Sequence, residues 1–126
     1  MAQLELVHPS PLELTSAEPR GDHLVISRMV SDSARILDVG CGVGALMQLL
    51  VRECGANVRG LEINPNKAHR CVVRGLSVVQ GDAERDLGEF PSGAFDYVVF
   101  SHTLQHFRRP QAALKQAARI GQKVIV

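Results

Sequence analysis

Apolar residues in this chain follow two alternating rhythms, short unbroken runs and longer stretches with a helical repeat. The runs are Ile36-Leu37 with Val39, Asn57 to Ile63, Leu76 to Gln80, Phe95 to Phe100 and Lys123 to Val126. Their length and their content of Val, Ile and Phe predict buried strands. Between them, Ala45, Leu46, Leu49, Leu50 and Cys54 recur at helical spacing, and so do Ala113, Leu114, Ala117 and Ile120. Asn64-Pro65 and Pro110 are suited to start helices, and Gly55, Gly75 and Gly121 to stop them. Leu24, Val25, Ile26 and Met29 predict one more short helix, over Asp22 to Met29, packed on the sheet ahead of the first strand. Strands that alternate with helices from Arg35 onward read as α/β. The expected architecture is a doubly wound, Rossmann-like sheet of parallel strands in the order 3-2-1-4-5, because right-handed crossovers lead there. The last run, Lys123 to Val126, has no successor and is expected to form an open sheet edge, which recruits other chains or frays.

The chemistry is concentrated where the first strand meets its helix. Gly40, Gly42 and Gly44 stand at alternate positions there, so the backbone can turn sharply and approach a ligand without Cβ atoms in the way. A helix N-terminus behind such a loop is expected to offer free backbone N–H groups to electron-rich ligand groups. With Ala45, the glycines also satisfy the dinucleotide pattern G-x-G-x-x-A. Asp38, at the carboxyl end of the strand, discriminates by charge. A carboxylate there repels a pyrophosphate and attracts an ammonium and a sulfonium, the groups S-adenosylmethionine carries. A cap or loop hydrogen bond is the alternative role for Asp38.

Two more carboxylates follow strand ends. Glu62 lies 22 residues after Gly40, a spacing that carries an acid to a ribose, whose two hydroxyls it can accept. Asp82, in Gly81-Asp82-Ala83-Glu84, suits either an adenine amino group or the cap of a short helical turn through Arg85 and Leu87. Ser101 to His106 leaves the fourth strand on the same edge. His102 and His106 would share a helix face, but two histidines without a third ligand do not make a metal site. They are the candidates for a general base, with surface positions as the alternative.

Composition changes little. The 126 residues suit one domain, here 22–126, preceded by an arm at 1–21 with Pro9, Pro11 and Pro19 that is expected to be mobile. With 14 basic and 13 acidic residues the formal charge is +1, which gives no footprint for nucleic acid or an anionic membrane. No apolar run approaches the roughly 20 residues of a membrane span, and residues 1–20 lack a signal pattern, so a cytoplasmic location is expected. Cys41, Cys54 and Cys71 include no C-x-x-C pair and are read as reduced thiols.

The succession Ile36-Leu37-Asp38-Val39-Gly40-Cys41-Gly42-Val43-Gly44, Gly60-Leu61-Glu62-Ile63, Gly81-Asp82-Ala83 and Phe95-Asp96-Tyr97-Val98-Val99 resembles class I S-adenosylmethionine-dependent methyltransferases. Gly75 to Ala83, Leu87, Ser101-His102-Thr103-Leu104-Gln105 and Arg119-Ile120-Gly121 make it most similar to the MetW family of methionine biosynthesis, over roughly residues 22 to 126. The resemblance implies S-adenosylmethionine as cofactor, bound by Asp38, Gly40, Cys41, Gly42, Gly44, Glu62, Ile63, Asp82, Ala83 and Ser101. It implies no metal and assigns no catalytic residue. Homoserine O-acyltransferase is the partner it implies, with a small-molecule acceptor, quinone-type or other, if the domain is catalytic. Val43 departs from the family, where the glycine loop often carries an acid. Such proteins also continue beyond the fifth strand into the last strands of the sheet, and this sequence stops at Val126.

Overall fold

The computed structural model describes residues 21–101 and 103–126, together with the backbone of residues 2–3. In chain order the elements are β1 (Ala2–Gln3), α1 (Gly21–Met29), β2 (Arg35–Val39), α2 (Ala45–Cys54), β3 (Asn57–Glu62), α3 (Pro65–Val73), β4 (Ser77–Gln80), α4 (Ala83–Asp86), β5 (Phe95–Phe100), α5 (Pro110–Ile120) and β6 (Gly121–Ile125), with 3₁₀ turns at Leu87–Glu89 and Leu104–His106. The strands form one sheet in the order β1-β6-β5-β2-β3-β4, every pair parallel. Counted from Arg35, this is the 3-2-1-4-5 order that the alternation of strands and helices predicts.

The sheet is covered on both faces because its central strands are apolar on both. Ile36, Leu37 and Val39 are fully buried. Ile36 packs with Ile26, Leu46, Met47, Leu50 and Tyr97 on the face under α1 and α2, whereas Leu37 and Val39 pack with Val98, Ala117 and Ile120 on the face under α5. Side chains alternate along a strand, so consecutive residues of β2 serve opposite layers. Burying a side chain of this size stabilises by about 1.5–3 kcal/mol.

The helix ends follow their sequence signals with one exception. Gly55 caps α2 in the left-handed region, and the Asn64 carboxamide caps α3 by accepting the Asn66 and Lys67 N–H groups at 2.9 and 3.2 Å. Gly121 does not cap α5 in this way. Its φ is −124°, and it opens β6 directly. A Cβ there would lie 2.6 Å from Val98 Cγ2, so close approach of strand to strand is what asks for glycine.

Two expectations need correction. Helix α1 forms, but Leu24 and Val25, assigned to the sheet, are exposed, while Asp22, His23 and Ile26 are buried. The helix is turned so that Ile26 and Met29 meet the core, and its amino end, with His23, adjoins the cleft described below. The edge strand β6 is also not bare. Ala2 and Gln3 pair with it in register with Val124 and Ile125, so a piece of the arm has regular structure; residues 4–20 lie outside the described residues. Among the described residues no helix is long and apolar enough to cross a membrane.

Candidate functional site

A cleft of about 810 Å³ runs along the carboxyl ends of β4, β3, β2 and β5. This size suits a ligand of a few hundred daltons. The strand order explains its place. From β2 the chain moves outward through β3 to β4, then returns to the other side of β2 as β5, and ligands of open α/β sheets collect at such a reversal.

The floor is the glycine loop, and four neighbours hold it. Leu61 O accepts the N–H groups of Gly40 and Cys41 at 2.7 and 3.2 Å, and Gly44 N–H donates to Cys41 O at 3.1 Å. Glu62 Oε1 accepts Gly42 N–H at 2.8 Å while Oε2 accepts Asn64 N–H at 2.8 Å. The Arg74 guanidinium donates to Val43 O at 2.7 Å, and the Thr103 hydroxyl donates to Val39 O at 3.1 Å. Four amides of the loop are thus engaged by the protein itself. The amides at the amino end of α2, those of Ala45, Leu46 and Met47, are not among these donors, and it is there that the sequence expects groups facing a ligand.

Glycine is required here for space as well as for backbone angle. A Cβ on Gly40 would collide with Thr103, and one on Gly44 with Leu76. Gly42, at φ +59°, has empty space where a Cβ would stand, and it lines the cleft.

Electrostatically the middle of the cleft is a row of carboxylates, with the cations Lys67 and Arg70 of α3 also in its wall. Asp38 is buried at the end of β2, Glu62 at the end of β3, and Asp82 is half-buried beyond β4. Asp82 caps α4, its Oδ1 accepting Glu84 N–H at 3.0 Å, which realises the capping role. Each oxygen of Glu62 retains a further lone pair for a ligand hydroxyl. Below the loop, the Cys71 thiol donates to Gly42 O at 3.1 Å and lies 4.0 Å from Cys41 Sγ. Burial, with Asp38 nearby, pushes the Cys41 thiol well above the usual range, and burial also raises Cys71. Both are inert thiols that pack the loop.

Of the residues expected from sequence, Asp38, Gly40, Cys41, Gly42, Glu62, Ile63, Asp82, Ala83 and Ser101 line the cleft. Gly44 lies behind the loop as the left-handed residue that opens α2. His106 lines the cleft from the turn after β5, and His102 lies outside the described residues. The sequence reading left out His23, Lys67, Arg70, Thr103 and Phe107, which also contribute to the wall. Thr103 could have been found only from its packing on Gly40, which joins positions distant in the chain. Among the described residues no cluster of three metal-binding side chains occurs.

Residues 20–126 match the family described as methionine biosynthesis protein MetW. A ubiquinone biosynthesis O-methyltransferase of Xanthomonas oryzae is 35% identical over 101 residues, covering 76% of this chain and 42% of that protein. A 2-methyl-6-phytyl-1,4-hydroquinone methyltransferase of Oryza sativa is 30% identical over 106 residues, 80% of this chain and 30% of its own. The chain therefore spans less than half the length of these relatives. Among solved structures, a TehB-like methyltransferase of Corynebacterium glutamicum superposes with a TM-score of 0.70 at 24% identity, over 83% of this chain and 60% of that one. A methyltransferase of Archaeoglobus fulgidus gives 0.66 at 25% identity, over 79% and 48%.

Proposed function

This chain belongs to the MetW family, and from that premise we propose that it is an S-adenosylmethionine-binding methyltransferase-type domain of methionine biosynthesis that acts with homoserine O-acyltransferase. The observation that carries cofactor binding is the row Asp38, Glu62 and Asp82 beside the glycine loop. A dinucleotide would bring its pyrophosphate against these carboxylates. A ligand with a cationic amino-acid end, a ribose and an adenine meets an acceptor at each point.

In this reading Asp38 takes the ammonium, Glu62 the ribose hydroxyls and Asp82 the adenine amino group, with Ile63 and Ala83 as apolar walls for the ring. Cys41 and Gly42 form the floor, and Gly40 and Gly44 shape the turn. Ser101 borders the methyl end. When bound, the cofactor supplies an electrophilic methyl group on sulfur. The residues of this chain orient it, and an acceptor would approach its methyl group from the side of Ser101 and the turn after β5. Transfer to a good nucleophile asks chiefly for alignment of the attacking atom, so the site does not require a strong base. His106 is placed to accept a proton if the acceptor carries one.

The likeness to quinone-pathway O-methyltransferases favours a second reading, a methyltransferase for a small phenolic or quinone-type acceptor. Calorimetric titration tests the shared premise: S-adenosylhomocysteine should bind and NADH should not. The reverse outcome would replace the cofactor assignment with a dinucleotide. Release of S-adenosylhomocysteine with a phenolic acceptor would support the second reading. A change in homoserine O-acyltransferase activity on adding this chain, without such release, would support the first.

A further inference from the structure

The sheet ends in β1, of two residues, and in β4, of four. Among the described residues only β3 pairs with β4, so alternate N–H and C=O groups along Ser77–Gln80 have no strand to bond. Charges and prolines usually guard such edges, and β4 carries neither. Its surroundings are apolar. Val78 packs on the core cluster that holds Cys71 of α3, so Val79 stands on the opposite face, where it is 43% exposed. On α3, Arg74 turns to the glycine loop, and the exposed Val72 lies on the other flank of the buried Ala68 and Cys71, the flank toward the open edge.

The edge is also charged unevenly from end to end. Arg59, in register with Ser77, marks its amino end, is exposed, and takes part in no ion pair among the described residues. Asp82, Glu84 and Asp86 follow its carboxyl end. Asp86 lies on the Val79 face, since a Cβ on Gly81 would meet both its carboxylate and Leu61, the register partner of Val79. Arg59 is on that face too, two residues before Leu61.

We propose that β4 is a docking edge for a second copy of this chain, paired antiparallel about a two-fold axis at Val79. The proposal goes beyond the cofactor reading and does not depend on it. An isologous interface needs a self-complementary surface, in which one residue meets another and the second meets the first. This edge provides one. With the axis at Val79, the two Val79 side chains form a β-branched cross-strand pair on the uncovered face, and Ser77 stands opposite Gly81 of the copy. Arg59 is then two strands, about 10 Å, from that glycine, a span that an arginine and an aspartate can bridge. It meets Asp86 of the copy, and symmetry repeats the contact. Opposite ends of the edge thus attract. A second copy paired parallel would set like ends together and leave a further edge open, and an unrelated strand of one charge would suit only one end.

Sedimentation velocity over a concentration series tests this on the 126-residue chain. A monomer–dimer equilibrium with a dissociation constant of about 10–100 μM is expected, because a short strand pair is a small interface. Val79→Lys sets two ammonium groups face to face at the axis and should weaken the dimer by at least about tenfold. Arg59→Glu should weaken it by about as much, and added salt should loosen the wild-type dimer. Both side chains are exposed, so neither variant threatens the fold. Deuterium exchange at Ser77–Gln80 should slow as the protein is concentrated. A monomer at every concentration up to millimolar would overturn the proposal. So would a dimer indifferent to Val79→Lys, which would place the interface elsewhere. A dimer lost in Val79→Lys but untouched by Arg59→Glu would overturn the pairing about Val79.

Discussion

At the scale of single residues, Glu62 shows how one side chain can serve both fold and ligand. Its two oxygens hold Gly42 and Asn64 through their N–H groups, so it fastens the floor of the cleft before any ribose arrives. Glu62→Gln would turn an amide NH₂ toward one of those donors and remove the charge from both bonds. At about 1.5–3 kcal/mol for a bond to a charged group, stability and cofactor affinity should fall together. Urea denaturation and calorimetry on the same variant check this, and a fall in affinity at unchanged stability would show that the carboxylate does not anchor the loop. Its spacing from Gly40 made Glu62 legible in the sequence, as a strand-end acid among glycines. The anchoring was not legible, because it depends on the loop folding back across β3. His23 was missed for a related reason. The apolar stretch around it pointed attention to Leu24 and Val25, and burial of a polar residue against a cleft leaves no periodic trace.

At the scale of elements, α2 and α5 are placed by their apolar faces, and pattern alone identifies them. Helix α1 is held by Ile26 with Met29 against the core, while its other apolar residues, Leu24 and Val25, face out, so its apolar pattern does not describe its burial. The middle of β3 is governed by contact with the glycine loop. A Cβ on Gly60 would stand 2.5 Å from Cys41 Sγ and 2.7 Å from Met47 Sδ. Gly60→Ala should therefore force the loop and α2 away from the sheet and cost about 1–3 kcal/mol, as overpacking in a dense core does. A chemical denaturation midpoint equal to that of wild type would contradict this. A glycine inside a strand pattern marks such an approach in general. Which atoms approach becomes known only with the fold.

At the scale of the whole molecule, the sheet order was legible because strand and helix signals alternate without interruption from Arg35. The pairing of Ala2 and Gln3 with β6 was not, since two residues carry no pattern. The cleft lies across the line where the β2-β3-β4 half meets the β5-β6 half, so a bound ligand touches both and should stabilise the sheet as one unit. The loop on that line is bonded to β3 without any ligand, and this has a kinetic consequence. Its amide hydrogens are shielded by carbonyl and carboxylate partners, so they should exchange slowly with solvent deuterium in the free protein. Adding S-adenosylhomocysteine should slow Gly40, Cys41 and Gly42 further, from rates already well below those of unbonded amides. A loop that exchanges freely until ligand is added would mean that it is ordered by binding, and that recognition begins with a folding step in place of a ready-made floor.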